Sequence, residues 1–387
     1  MIPYGKQDIN QADIDAVVDV LTSERLTQGP VVPEFEKKTL THCQSRFAIA
    51  SNSATSALHI ACLSLGITKG DIVWTSPISF VASANCALYC NADIDFVDID
   101  PVTGNMSVSA LALKLKKAKK NNALPSAIIP VHLAGQACDM EVIYLLAQEF
   151  GFKIIEDASH AIGGYYQDSP VGSCKFSDIT VFSFHPVKII TSAEGGMALT
   201  NDKKLAKKMR SYRSHGIVNS EEDFKKETHG PWYYEQQSLG FNYRMTELQA
   251  ALGVSQLNRL STFVEKRHQL AQIYDQAFKA ENLSSLHQSS DSVSSYHLYI
   301  LLLPTSKSDL QRKLFEYLRA KEIFVQIHYI PIHLQPYYTK LGFNVGDFPN
   351  AEAYYKRAIS LPLHPNLQPK EQTYIINNVI EFLYENT

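Results

Sequence analysis

One lysine stands among apolar neighbours in Ser183-Phe-His-Pro-Val-Lys188-Ile-Ile-Thr-Ser-Ala-Glu-Gly-Gly196. Most lysines are solvated surface groups. A lysine between Val187 and Ile189 is placed for other work. Partial desolvation disfavours the ammonium and frees the amine as a nucleophile, the form that attacks a carbonyl to make a Schiff base. About thirty residues earlier, Asp157 ends the run Phe152-Lys-Ile-Ile-Glu156. A lysine with such an acid is the pair that pyridoxal phosphate (PLP) chemistry demands. The lysine holds the aldehyde, and the acid keeps the pyridine nitrogen protonated so that the ring accepts electrons.

The same chemistry needs a phosphate cradle and a flat side chain against the ring. Ser53-Ala54-Thr55 opens a predicted helix, where free backbone N–H groups and hydroxyls suit a dianion. Ser183 offers a further hydroxyl, and Phe80 in Pro77-Ile-Ser-Phe80 is the candidate for stacking. Each has a plainer reading: Asp157 as a turn residue or helix N-cap, Thr55 as an N-cap, Phe80 as core. His160 follows the acid by three residues and is placed to reach a cofactor oxygen or to back Asp157. His328 and His333, with Pro331 between them, do not share one helix face, so no metal is expected. No glycine-rich dinucleotide fingerprint and no P-loop occurs, which argues against a nicotinamide oxidoreductase or a kinase.

The elements that must position these groups follow from hydrophobic period. Residues 10–24 read as an amphipathic helix with Ile14, Val17, Val18 and Leu21 on one face, and residues 52–65 repeat the pattern. Strands are expected at 94–99, 127–131, 152–156 and 179–184, alternating with helices at 111–119 and after Asp139, which is expected to cap a helix ended by Gly151. This alternation predicts an α/β fold, a mostly parallel sheet with helices on both faces. Ligands in such sheets bind at the carboxyl ends of strands, where Asp157 and Ser183 fall. After Arg244 the texture changes. Residues 246–280 read as largely helical with Leu248, Ala251, Leu252, Ser255 and Leu260 buried. Strands at 296–303 and 323–329 then alternate with helices at 309–321 and 351–359, and 289–295 reads as a serine-rich surface loop. A large domain of residues 1–255 and a small α/β C-terminal domain of residues 256–387 are the expected organisation.

The chain has 387 residues, 45% hydrophobic and 19% charged, with a net charge of −3. It can bury a large core and shows no broad basic face for nucleic acid. Six cysteines lack CxxC spacing and read as reduced, buried thiols. The N-terminal Met-Ile-Pro-Tyr-Gly-Lys lacks a signal-peptide core, and no run is long enough for a bilayer, so a cytoplasmic enzyme is expected.

The segments that carry these groups also resemble a known family along essentially the whole chain. Leu26-Thr-Gln-Gly-Pro30, Asn52-Ser-Ala-Thr55, Pro77-Ile-Ser-Phe80, Glu156-Asp157, Ser183-Phe-His-Pro-Val-Lys188, Ala193-Glu-Gly-Gly196, Gly240-Phe-Asn-Tyr-Arg244 and His328-Tyr329 are similar to motifs of the DegT/DnrJ/EryC1/StrS sugar-nucleotide aminotransferases, which have the type I PLP-dependent aminotransferase fold. The resemblance implies Lys188 as the Schiff-base lysine, Asp157 as the pyridine partner and Phe80 as the ring stack. It implies Ser53, Ala54, Thr55 and Ser183 around the phosphate and His160 near the cofactor oxygen. Asn242 would reach the phosphate of a neighbouring subunit, giving a homodimer with shared sites. Tyr4, Thr27, His215, Arg244, His328 and Tyr329 are substrate candidates, as is Arg213. Some family members are dehydratases with histidine in place of the lysine; here Lys188 is retained and the histidine is His185, which favours transamination. Within the family, the wording looks most like the members that pass the amino group of L-glutamate, through pyridoxamine phosphate, to C4 of a UDP-linked 4-keto-6-deoxy-N-acetylhexosamine for pseudaminic acid. The alternatives are another nucleotide keto-sugar (C3 or C4, dTDP or GDP linked) and a PLP-bound sensor without turnover.

Overall fold

The short apolar runs assemble into one seven-stranded sheet in the computed structural model, which describes residues 1–281, 283–304 and 309–386. Its strands are β1 (Phe47–Ser51), β2 (Ile72–Thr75), β3 (Asp93–Phe96), β4 (Ala127–Ile129) and β5 (Lys153–Asp157), followed by Ile179–Ser183 and Gly196–Thr200. Across the sheet the order is β1, Gly196–Thr200, Ile179–Ser183, β5, β4, β2, β3. Gly196–Thr200 runs against both of its neighbours, and the remaining pairings are parallel.

Alternate residues of each strand feed two cores, because successive side chains point to opposite faces. Ile49, Val73, Ile129, Ile155 and Val181 pack beneath α3 (Ala54–Leu65) and α4 (Ala82–Tyr89). Ala48, Trp74, Ile128, Ile154 and Phe182 pack beneath α2 (Val31–Cys43), α5 (Val108–Lys120) and α6 (Met140–Phe150). All six cysteines are free and buried. A three-stranded antiparallel sheet of Ser284–Ser285, Tyr299–Leu302 and Ala358–Leu361 forms the later part of the chain. Helices Leu260–Ala280, Leu310–Ala320 and Pro369–Asn386 close it around a third core that includes Tyr274, Leu301, Leu314 and Val379.

Several expectations are corrected. Helix α1 (Gln11–Leu21) turns Asp13 and Val20 inward, whereas Ile14, Val18 and Leu21 remain about half exposed. The helix 246–280 is two helices, Glu247–Leu257 and Leu260–Ala280, broken at Asn258-Arg259 without proline or glycine. Its first half buries Glu247, Ala250, Ala251, Gly253 and Gln256; of the expected face Ala251 and Leu260 are buried, while Leu248, Leu252 and Ser255 are only partly so. The polar members are satisfied: the Glu247 carboxylate accepts from Val31 N–H at 2.6 Å at the start of α2, and Gln256 Nε2 donates to Asp13 at 2.7 Å. Residues 323–329 form isolated bridges, Ile2–Ile323 and Gln326–Ser360, rather than a strand. The helix expected at 351–359 is Pro349–Tyr355, and Ile359 belongs to the strand that follows. Asp139 makes no capping bond; its carboxylate accepts from the Tyr166 hydroxyl at 2.7 Å. The segment 289–295 is a surface loop only in part: Ser290, Asp291 and Val293 are exposed, whereas Ser292, Ser294 and Ser295 are buried, and Ser295 Oγ donates to the His160 carbonyl at 2.8 Å. No helix among the described residues is long and apolar enough to cross a membrane.

Candidate active site

Strands of one direction deliver their carboxyl ends to one place, and there a cavity of about 480 Å³ opens. β1 ends at Ser51 and hands the chain to Ser53, the N-cap of α3, whose hydroxyl accepts from Ser56 N–H at 3.1 Å. Ala54 and Thr55 follow at the cavity wall, with the free N–H groups of the first helical turn. Gly196 lies directly against this turn; a Cβ there would run into the backbone of Ser53 and Ala54. The segment after β2 brings Phe80, which is 60% exposed and lies on the cavity rather than in the core. β5 ends on Asp157, and the next strand ends on Ser183, five residues before Lys188.

Lys188 is flanked by buried Ile189 and Ile190, and its Nζ makes no hydrogen bond or ion pair among the described residues. Burial lowers its pKa to about 8, against the opposing charge of Asp157. The amine is thus substantially neutral near pH 8. The Asp157 carboxylate accepts from Ser159 N–H at 3.1 Å on one oxygen and from Ser83 Oγ at 2.6 Å on the other. His160 forms the adjoining wall. Its Nδ1 accepts from Ala134 N–H at 3.3 Å, and its Nε2 lies 3.0 Å from the Tyr329 hydroxyl. Burial drives the His160 pKa well below the usual value, helped by the nearby charges of Lys188 and His132. His328 is likewise lowered, to about 3, by burial and by Lys188.

The cavity therefore gathers Tyr4, Ser53, Ala54, Thr55, Phe80, Asp157, His160, Ser183, Lys188, His328 and Tyr329. Thr27, His215, Asn242 and Arg244 do not line it in this chain, and Asn242 is exposed. Arg213 is engaged elsewhere, donating to Glu36 at 2.7 Å and to the Ala50 carbonyl at 2.9 Å. His328 and His333 take separate partners, Ser360 at 2.8 Å and Glu352 at 3.0 Å. Four residues at or beside this site carried no local signal: Ser79, Ser83, Ser159 and His297. The His297 ring lies 4.4 Å from that of His160.

These residues fit PLP. A partly desolvated amine and a carboxylate line one cavity, a glycine-backed helix N-terminus with hydroxyls offers an anion cradle, and the exposed Phe80 ring is available for stacking. On this sheet, such a site defines a PLP-dependent aminotransferase of the type I fold. A known structure of that kind superposes throughout: Helicobacter pylori PseC, an aminotransferase involved in the biosynthesis of pseudaminic acid, matches with a TM-score of 0.91 at 34% identity over 99% of both chains. The PLP form of a putative sugar aminotransferase, Spr1654 from Streptococcus pneumoniae, matches with a TM-score of 0.89 at 29% identity over 99% of both chains. In sequence, the UDP-4-amino-4,6-dideoxy-N-acetyl-beta-L-altrosamine transaminase of Campylobacter jejuni serotype O:23/36 is 38% identical over 99% of this chain and 98% of its own. The spore coat polysaccharide biosynthesis protein SpsC of Bacillus subtilis is 36% identical over 98% and 95%. The DegT/DnrJ/EryC1/StrS aminotransferase family model matches residues 7–380, and the chain belongs to that family. It is a PLP-dependent sugar-nucleotide aminotransferase.

Proposed function

We propose that this enzyme moves the amino group of L-glutamate to C4 of a UDP-linked 4-keto-6-deoxy-N-acetylhexosamine, giving UDP-4-amino-4,6-dideoxy-N-acetyl-altrosamine for pseudaminic acid. The observation that carries the chemistry is the meeting of Lys188 and Asp157 in one cavity at the strand ends. The named activity of the Campylobacter jejuni relative supports the choice of sugar. PLP supplies an aldehyde that takes up the donor's nitrogen and a ring that spreads the charge left on the donor carbon. Lys188 holds that aldehyde. Released when the donor's amino group takes its place on the aldehyde carbon, the Lys188 amine would take the proton from the glutamate Cα, and in the second half would return a proton to C4 of the sugar from one face, which fixes the new stereocentre. Asp157 holds the proton on the ring nitrogen, Ser53, Ala54, Thr55 and Ser183 hold the phosphate, and Phe80 stacks on the ring. Tyr4, His328 and Tyr329 line the same cavity and orient the sugar.

The working unit is a homodimer, with residues 1–255 as the PLP-binding domain and 256–387 as the small domain. Its support is the apolar face Ile14, Val18 and Leu21, uncovered by the chain itself, and the position of Asn242 outside the cavity it would complete. In the test, purified protein is given glutamate and a panel of UDP-, dTDP- and GDP-keto-sugars. Release of 2-oxoglutarate is measured, and the new amine is located by NMR. Amination at C4 of the UDP sugar is expected, and Lys188→Ala should remove repeated turnover with the fold intact. Amination at C3, or preference for a dTDP- or GDP-sugar, would replace the substrate assignment. An absence of 2-oxoglutarate would favour a sensor.

A further inference from the structure

The carboxylate of Asp157 is held by groups on two different segments. Ser159 N–H donates to one oxygen at 3.1 Å, and Ser83 Oγ donates to the other at 2.6 Å. Ser83 Oγ also lies 2.6 Å from Ser79 Oγ. Each hydroxyl has one proton. The carboxylate oxygen accepts, so the Ser83 proton is committed to Asp157, and Ser79 must be the donor to Ser83. The chain of bonds thus has a fixed direction: Ser79 to Ser83 to Asp157. All three residues are at least 95% buried. Water cannot easily replace a lost hydroxyl there, and an orphaned partner keeps its full desolvation penalty.

The placement adds a second point. β2, which feeds Ser79 and Ser83, is separated from β5 by β4, so this relay spans an intervening strand. Ser79 and Ser83 are also four residues apart across the entry to α4, with Phe80 between them on the cavity face. One short segment therefore presents the stacking ring and aims the acid, and its two roles share one backbone.

We infer that Ser83, backed by Ser79, is a positioning residue that orients the Asp157 carboxylate toward the cofactor's ring nitrogen while the same segment sets Phe80 against the ring. This rests on the assignment of Asp157 to that nitrogen. A side chain that only filled space would support the pocket for any ring of the same shape. A side chain that acts through the carboxylate matters only for a ring that carries the nitrogen.

The test compares two ligands on the apoprotein: PLP, and the analogue in which C–H replaces the ring nitrogen. Both bind the amine and the phosphate cradle, and both are followed by the visible band that appears on titration. Wild-type protein should prefer PLP. Ser83→Ala should weaken PLP binding roughly tenfold, the scale of a lost hydrogen bond to a charged group, and change binding of the analogue less than about twofold. Ser79→Ala, which leaves the direct bond in place, should give a smaller loss of the same selectivity, and keeps the test available if Ser83→Ala folds poorly. Equal losses for both ligands, or unchanged PLP binding in both variants, overturns the positioning role. Wild-type protein that binds the two ligands equally overturns instead the assignment of Asp157 to the ring nitrogen.

Discussion

His160 Nε2 and the Tyr329 hydroxyl lie 3.0 Å apart, and a backbone amide decides which of them donates. Ala134 N–H donates to Nδ1 at 3.3 Å, which makes Nδ1 the acceptor of the ring. Burial, together with the nearby charges of Lys188 and His132, keeps the ring neutral. Its one proton is therefore on Nε2 and is donated to the Tyr329 oxygen. The hydroxyl's own proton is left free for another acceptor. A glutamine amide has the same polarity, a carbonyl to accept and an NH₂ to donate. His160→Gln should keep kcat/KM within about tenfold, whereas His160→Leu, which strands both Ala134 N–H and the tyrosine oxygen, should lose on the order of a hundredfold. Steady-state kinetics of the two variants checks this. Equal losses would mean that ring shape, not bond polarity, is what the site uses.

The depressed Lys188 pKa gives a second prediction. Only the neutral amine attacks an aldehyde. Burial lowers the pKa to about 8, so capture of PLP by apoprotein should accelerate as pH rises and level off above about 8. An ordinary lysine would still be gaining rate near 10. Stopped-flow absorbance across pH 6.5–9.5 reads the midpoint. Phe80→Ala, which opens the same cavity to water, should weaken retention of PLP and move that midpoint upward, because burial is what lowers the lysine's pKa.

Asp157 and Ser183 were legible because each stops an apolar run, and the carboxyl end of a strand in an α/β sheet is a place as well as a pattern. Lys188 was legible through its apolar neighbours. Ser83 was not, because its significance comes from Asp157, seventy-four residues away across β4. The burial of Glu247 was not legible for the same reason. A carboxylate in a helix reads as solvated until the start of α2 is laid against it and its oxygens meet the free N–H groups of Val31 and Val32. The expected apolar face of α1 was a correct reading of period but not of partner: this chain does not cover it. The serine-rich segment 289–295 was legible only in part, because composition does not tell its exposed residues, Ser290 and Asp291, from its buried ones, Ser292, Ser294 and Ser295. Its serines satisfy backbone groups that the sequence does not display: Ser292 Oγ accepts from Ala137 N–H and Ser295 Oγ donates to the His160 carbonyl.

Acid should loosen the fold through the same buried imidazoles. His328 has its pKa lowered to about 3 by burial and by Lys188, and His160 and His297 are also lowered. Above about pH 6.5 these rings are neutral both folded and unfolded, so titration contributes nothing. Between pH 6.5 and about 3 the unfolded chain takes up protons that the folded His328 refuses. Stability then falls with falling pH by up to about 1.4 kcal/mol per pH unit for such a group. His328→Asn retains a polar partner for Ser360 without a titrating ring. It should flatten the decline of Tm between pH 6.5 and 4 relative to wild type. Parallel Tm–pH curves for the two proteins would show that His328 is not a source of acid sensitivity.

Sharing of sites across a dimer predicts a result that no single-chain site can give. Lys188 lies in the cavity of its own chain, while Asn242 is exposed outside it. If each site joins Lys188 of one subunit with Asn242 of the other, Lys188→Ala and Asn242→Ala homodimers are each defective at both sites. A mixed dimer has one site with both substitutions and one with neither. Random exchange at equal concentrations makes half the dimers mixed, so mixing should restore about a quarter of wild-type activity. Replacing Val18 with aspartate, in the middle of the uncovered face of α1, should slow or prevent recovery by weakening the dimer, and sedimentation should show the shift toward monomer. Recovery absent after verified subunit exchange would mean that each chain completes its own site.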